Sequence, residues 1–508
     1  MCRKCETKRR DKCHDKCRDK KCRKRVRKDP TFGCEKIVGL PPCGKIGVGF
    51  GQTTDALSAF RKEVIDVDPI APYPYVINLY TDLVRYDPDI PQSGFLAGLG
   101  SVNVNADGSL KTGFLPWSNG VASEYTCESS YIFNEVRNGG LTDFMNFQAT
   151  LSEFPQSILS IGLKLGEDAT NEPIKAVSAL YTGQNPFGLS QEILDSYKVA
   201  VDTLICWCKD QCPRDILIRP MYEIDADFKQ YAIDNSTEYA MNTFRYLKTR
   251  FVEEKVKNVA FMLHYFAQDY GQGGPGSVYD LTAPDHYDIW YPGDEFVDWI
   301  GMSNFLQDKF PHYYQLRDCF YENDSDARDR VYNFARQHNK PVDCASEMSP
   351  VAVFFPQDNV FGCAWFCCDL QFETTSQEIW DNIFVPFFQE IEQNKDVIRL
   401  CSNYINTHWY NNSCWGDSRL QSNDFLRNKF FSQLKNDSKF FIPKRPCLKP
   451  SICDYPFVYP CIIPDSLPGQ CGANSLISQS ILKIDGKIEE NVEEKEDPRY
   501  LSRIKERK

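Results

Sequence analysis

Short apolar runs alternate with longer stretches of helical periodicity from residue 44 to about 405, which restricts the chain to parallel strands joined by helices. The runs are GKIGVGF (44–50), PYVINLY (74–80), SILSIGLKL (157–165), DILIRPMYE (215–223), NVAFMLHYF (258–266), DWIGMSNF (298–305), PVDCASE (341–347) and VIRLCSNYI (397–405). Eight such units predict an α/β fold closed as a (β/α)8 TIM barrel. The rival, a doubly wound open sheet, lacks support because no Gly-rich phosphate loop follows the first run. Residues 44–444 are expected to form the barrel, with an insertion at about 85–150 that is too long for a simple connection.

The flanks have a different composition. Residues 1–30 hold 15 Lys/Arg against 5 Asp/Glu, while the whole chain has a net charge of −12, so a basic arm precedes an acidic body. Of 22 cysteines, seven fall in residues 1–43 and four in 447–471. The expectation is a basic Cys-rich arm (1–43) and an irregular Pro/Cys-rich extension ending in a charged tail (445–508). Such an arm suits disulfide-linked self-assembly or an anionic partner reached through residues 1–30. No aromatic residue interleaves the Lys and Arg of residues 1–30, so base stacking is missing and nucleic acid is not the expected partner. The cysteine spacings are irregular and point to thiols or disulfides, with no metal or organic cofactor implied. The chain begins MCRKCETKRR with no apolar secretory segment, and no run of about 18 apolar residues predicts a membrane span. Cysteine density without a visible signal favours an extracellular surface or a particle over the cytosol.

The chemistry concentrates in two glutamates. Glu223 ends the fourth run and Glu347 the seventh, at the strand ends where barrel active sites lie. Two carboxylates from different strands are what hydrolysis of a glycosidic bond requires, about 5–5.5 Å apart for retention and 6.5–9.5 Å for inversion. Regular alternation puts Glu223, Met221 and Arg219 on the inward face and turns Tyr222 toward the helices. By the same rule Glu347 shares its face with Ala345 and Asp343, and Asp343 is the candidate acceptor for Arg219. Substrate-binding candidates are His264, near the end of the fifth run, and aromatic residues near the mouth, with Trp365 among them and Trp409 the leading sugar platform. Trp299, inside a run, reads as core. The loop GQGGPGS (271–277) is a candidate lid.

Four stretches resemble glycoside hydrolase family 26 and family 26-like barrels: IRPMYEIDADF, WYPGDEFVDWIGMSNF, KPVDCASEMSP and RLCSNYINTHWYNNSCWGDSRL. The resemblance covers roughly 44–440. It implies Glu223 as acid/base and Glu347 as nucleophile. The chain also departs from the family pattern. Tyr222 stands where mannanases of the family have His, and Ile224-Asp225 stands where they often have Asn-Gly. Phe305 stands where a Tyr commonly touches the nucleophile. Tyr222, Asp225 and Phe305, with Arg219 of the matching Arg-Pro-x-x-Glu segment, are further substrate-site candidates. The expected function is a retaining glycoside hydrolase acting on a β-linked polysaccharide, mannan-like or related. The alternative is a structural or glycan-binding surface or virion protein anchored by its arm.

Overall fold

A computed structural model describes residues 32, 37–68, 71–84, 96, 147–166, 170–268, 274–305, 325–349, 361–362, 371–372, 375–407 and 418–446. The chain divides into two compact units, Met1–Pro446 and Cys447–Lys508, and all described residues belong to the first. Most of the expected arm, nearly all of the expected insertion and extension, and both Trp365 and Trp409 lie outside the described residues.

Each of the eight apolar runs contains a strand: β1 (Ile46–Gly51), β2 (Val76–Asp82), β3 (Ile158–Lys164), β4 (Ile216–Pro220), β5 (Val259–Tyr265), β6 (Trp299–Ser303), β7 (Val342–Glu347) and β8 (Ile398–Ile405). Neighbours in sequence are parallel neighbours in the sheet, and β8 returns to pair with β1. The sheet is therefore closed, and the fold is a (β/α)8 barrel. The strands are buried along both faces because helices cover the outside and side chains fill the inside. The helix Gln191–Asp210 shows how the covering works. Ser190 caps it by accepting from the Ile193 N–H, and Tyr197, Val201, Leu204, Ile205 and Cys208 form its buried stripe at helical spacing.

The lower barrel is plugged by Tyr75, Val76, Ile158, Leu217, Ala260, Met262, Trp299 and Leu400. Trp299 is core, as its position inside a run implies. Residues just before β1 complete the floor: Leu40 joins the plug, the Trp299 Nε1–H donates to the Val38 carbonyl (2.9 Å), and the Tyr75 hydroxyl donates to the Leu40 carbonyl (2.9 Å). This packed segment lies on the arm side of the boundary expected at residue 44.

Two strands depart from regular alternation, and both carry a candidate carboxylate. β4 stops at Pro220, three residues short of Glu223, and Met221 (φ 50°) and Glu223 (φ 56°) both adopt the left-handed region. In β7, Asp343 pairs with Gly301 and Glu347 with Ser303, so four residue steps on β7 match two on β6. That bulge lets the consecutive residues Ser346 and Glu347 both reach the interior, with Ser346 Oγ 3.3 Å from Met262 Sδ of the floor. The simple phasing that grouped Glu347 with Ala345 and Asp343 is corrected by this geometry.

β1 lies squeezed between β2 and β8, where a Cβ on Gly49 would stand 2.0 Å from the Ser402 carbonyl oxygen and 2.6 Å from that of Val76. Gly49→Ala should therefore destabilise the barrel by about 3 kcal/mol or more, whereas Gly274→Ala, with nothing within 4 Å of its Cβ, should be nearly neutral. Denaturant melts of the two variants test this, and equal midpoints would contradict the packing described.

Candidate active site

Glu223 is delivered by a turn rather than by a strand. After Pro220 the backbone is pinned on both sides: the Met221 N–H donates to the Leu163 carbonyl of β3 (2.9 Å) and the Ile224 N–H to the His264 carbonyl of β5 (2.9 Å). Between these anchors two non-glycine residues are held at positive φ, a conformation that costs free energy and that surrounding structure must impose. Glu223 ends up 5% exposed. Its Oε1 accepts from the Ser303 hydroxyl of β6 (2.7 Å), and Lys229 Nζ lies 3.7 Å from its Oε2.

Glu347 is 7% exposed at the top of β7. Its Oε1 accepts from the Tyr80 hydroxyl of β2 (2.8 Å) and from Arg219 Nη1 of β4 (3.3 Å). Gly162 of β3 makes this approach feasible, because a Cβ there would stand 2.3 Å from the Tyr80 ring. Asn403 of β8 donates its Nδ2–H to the Tyr80 oxygen (3.1 Å). Burial raises the Tyr80 phenol, and the Glu347 charge raises it further, so Tyr80 stays protonated as the donor.

The two carboxylates belong to one hydrogen-bonded chain. Arg219, with no exposed surface, approaches His264 Nδ1 at 3.2 Å through Nη1 and donates to the Ser346 carbonyl at 3.0 Å. A guanidinium only donates, so His264 Nδ1 must accept and its proton must sit on Nε2. Nε2 lies 3.1 Å from Ser303 Oγ, whose own hydrogen goes to Glu223. The order is Glu347, Arg219, His264, Ser303, Glu223. Burial, then the charges of Arg219 and Lys229, hold His264 well below the usual imidazole range and therefore neutral, as this polarity requires. Burial alone would lower the Arg219 pKa, but Tyr80 and Glu347 more than offset it, and the guanidinium stays charged.

Several expectations change. The Arg219 ion pair is made with Glu347; Asp343 instead accepts from the Ser402 N–H (2.9 Å) and the Ala345 N–H (3.3 Å). Tyr222 does not turn to the helices. Its ring packs edge-on to Tyr80 at 5.3 Å, with Lys229 Nζ 4.4 Å from its centroid. His264 is fully buried with both ring nitrogens engaged, so it orders the site's interior. Asp225 is also buried with both oxygens engaged, one accepting from the Phe266 N–H and the other 3.1 Å from His286 Nε2. It ties the turn after Glu223 to the end of β5. Phe305 is buried in the main hydrophobic cluster beyond β6. The described part of the candidate lid, 274–277, is tied down by Asn235, whose Nδ2–H donates to the Gly276 carbonyl (2.9 Å).

Sequence reasoning missed Tyr80, Ser303, Lys229 and Asn403. Tyr80, Ser303 and Asn403 sit at or near the C-terminal ends of barrel strands, the one signal that could have found them. Lys229 belongs to the short 3-10 turn Asp227–Lys229, where a charged sequence gives no hint of burial. Among the described residues no group of three or more His, Cys, Asp or Glu side chains could hold a metal ion, and no helix is long and apolar enough to cross a membrane. The arrangement presents two carboxylates with fixed hydrogen-bond donors, a set suited to proton transfer and to nucleophilic attack.

No protein-family model matches the chain. It is 29% identical over 269 residues to a β-1,3-xylanase of Alcaligenes sp., covering 51% of this chain and 51% of that protein. It is 28% identical over 284 residues to the β-1,3-xylanase TXYA of Vibrio sp., covering 52% of each. The chain thus spans about half the length of these curated relatives. Among solved structures, a Cellulomonas fimi endo-β-1,4-mannanase double mutant matches with a TM-score of 0.43 at 13% identity, over 80% of this chain and 73% of that one. A GH26 β-mannanase from Bacteroides ovatus matches with a TM-score of 0.42 at 13% identity, over 78% and 90%. At these scores the structural likeness adds nothing to the strand order.

The neutral state of His264 has a consequence for stability. Unfolded, its imidazole titrates near pH 6.5, and in the fold its value is depressed. Its contribution is therefore complete above about pH 6.5 and is lost as the pH falls toward the folded value, by about 1.4 kcal/mol per pH unit. Thermal melts between pH 7 and 5 should fall more steeply for the wild type than for His264→Gln. Parallel slopes would show that this imidazole is not held neutral.

Proposed function

We propose that the barrel is a retaining glycoside hydrolase acting on a β-linked polysaccharide, with a β-1,3-linked xylan first among candidates and mannans next. The observation that carries this reading is the chain of hydrogen bonds joining Glu347 to Glu223 through Arg219, His264 and Ser303. The sequence similarity to two β-1,3-xylanases supports the choice of substrate class.

In the proposed reaction Glu347 attacks the anomeric carbon. Arg219 and Tyr80 donate to its Oε1 and hold the carboxylate in a fixed orientation. Glu223 protonates the departing glycosidic oxygen and later takes the proton from the incoming water. Ser303 can serve both states of Glu223. A hydroxyl has one donor and two acceptor sites, so with His264 Nε2–H on one acceptor it donates to the carboxylate or accepts from the carboxylic acid. Lys229 Nζ, 3.7 Å from Oε2, places a positive charge beside the carboxylate that takes the proton in the second step. No step calls on a metal or an organic cofactor.

A second reading, a glycan-binding protein fixed in an assembly, is favoured by the basic, Cys-rich residues 1–43. Reducing-sugar release from β-1,3-xylan, β-1,4-xylan, mannan and β-glucans distinguishes the two. The hydrolase reading expects turnover of at least one glycan by the wild type and a loss of about 10⁴-fold or more in Glu347→Ala and Glu223→Ala. Equal activity in wild type and variants would remove both glutamates from the chemistry. Glycan binding without turnover in the wild type would favour the second reading.

A further inference from the structure

Cys344 of β7 and Cys401 of β8 lie side by side in the barrel wall, both buried, with their sulfur atoms 3.3 Å apart. The ladder brings them together: Leu400 pairs with Asp343, and the next residue on each strand is a cysteine. Neighbouring strands run about 4.8 Å apart, within the roughly 4.4–6.8 Å between Cα atoms that a disulfide spans. The thiols therefore need only a small rotation to bond. Cys212 of the same chain is already disulfide-bonded, so disulfide chemistry is part of this fold. The seam between β7 and β8 also contains a register shift, between Ile398 and Leu400, and the β1–β8 seam beside it contains another. An irregular ladder is where a covalent link has most to restrain. Cys344 is three residues before Glu347, on the bulged segment that aims that carboxylate.

We propose that Cys344 and Cys401 form an intrachain disulfide that staples β7 to β8 when the chain folds in the presence of a small-molecule disulfide such as oxidised glutathione. One cysteine thiolate attacks a glutathione sulfur and expels one glutathione thiolate, leaving a mixed disulfide. The second thiolate attacks the protein-side sulfur and expels the other. The two cysteines together give up two electrons and two protons, and oxidised glutathione becomes two molecules of the thiol. In the closed barrel burial pushes the Cys344 thiol up, and the neighbouring Cys401 adds to this, so the attacking thiolate is disfavoured there. The exchange therefore belongs to folding, or to opening of the β7–β8 seam, and reagents should reach the folded pair slowly. The staple concerns the barrel wall and does not depend on the glycosidase reading.

The test uses the full-length chain, reduced and unfolded, then refolded in a reduced/oxidised glutathione buffer. Free thiols are blocked by alkylation in denaturant, and the chain is digested and mapped by mass spectrometry without reductant. The expected result is a crosslinked peptide pair containing Cys344 and Cys401, with a melting temperature a few degrees above that of the same preparation after dithiothreitol. In Cys344→Ser the dithiothreitol-dependent shift should be smaller. If that variant does not fold, the wild-type peptide map decides alone. Recovery of both cysteines as alkylated thiols, or each joined to a different cysteine, overturns the proposal.

Discussion

The buried guanidinium of Arg219 is the constraint around which the site is organised. A charge with no exposed surface is costly unless it is paired and hydrogen-bonded. Here Glu347 supplies the countercharge, the Ser346 carbonyl and His264 Nδ1 lie at hydrogen-bond distance, and the rings of Tyr80 and Tyr222 lie within 5.2 and 5.9 Å of the guanidinium carbon. Because Arg can only donate, its position sets the direction of every later bond. His264 must carry its proton on Nε2, Ser303 must receive there, and Ser303 is left with a hydrogen for Glu223. The polarity of the whole chain between the carboxylates follows from one residue type at one depth in β4.

The rest of the barrel supplies what that arrangement requires. The floor built from Trp299, Met262, Leu217 and their neighbours, closed by Val38 and Leu40, leaves the polar chain buried above it, where its hydrogen bonds are strong. The β7 bulge brings Glu347 up to Arg219, and the two left-handed residues after β4 turn Glu223 toward Ser303. Irregular backbone thus occurs at both carboxylates, where it aims side chains that regular strands would send elsewhere.

The eight apolar runs were sufficient to read the fold, because a strand buried on both faces has a local signature. The strand-ending positions of Glu223 and Glu347 were legible for the same reason. Their aim was not. Alternation assumes regular pleating, and neither the turn 221–223 nor the bulge between Asp343 and Glu347 has a pattern in composition. Alternation correctly turns Arg219 inward but points it to Asp343, whereas the bulge brings Glu347 to it. Tyr80, Ser303 and Asn403 could have been suspected as polar residues near strand ends. The burial of Lys229 depends on contacts with Tyr222 and Phe228 that sequence spacing does not express.

The proposed mechanism places Glu347 as the group that bonds to sugar, with Arg219 and Tyr80 holding it. Incubation with a 2-deoxy-2-fluoro-β-xylobiosyl fluoride, followed by peptide mapping, tests this most directly, because the 2-fluorine slows both formation and breakdown of a glycosyl-enzyme while the fluoride leaving group keeps formation the faster of the two. The expected result is one fluoroglycosyl unit per chain, attached within the peptide that contains Glu347. A chain that hydrolyses β-1,3-xylan yet carries the label on another residue, or releases sugar of inverted configuration, would contradict it.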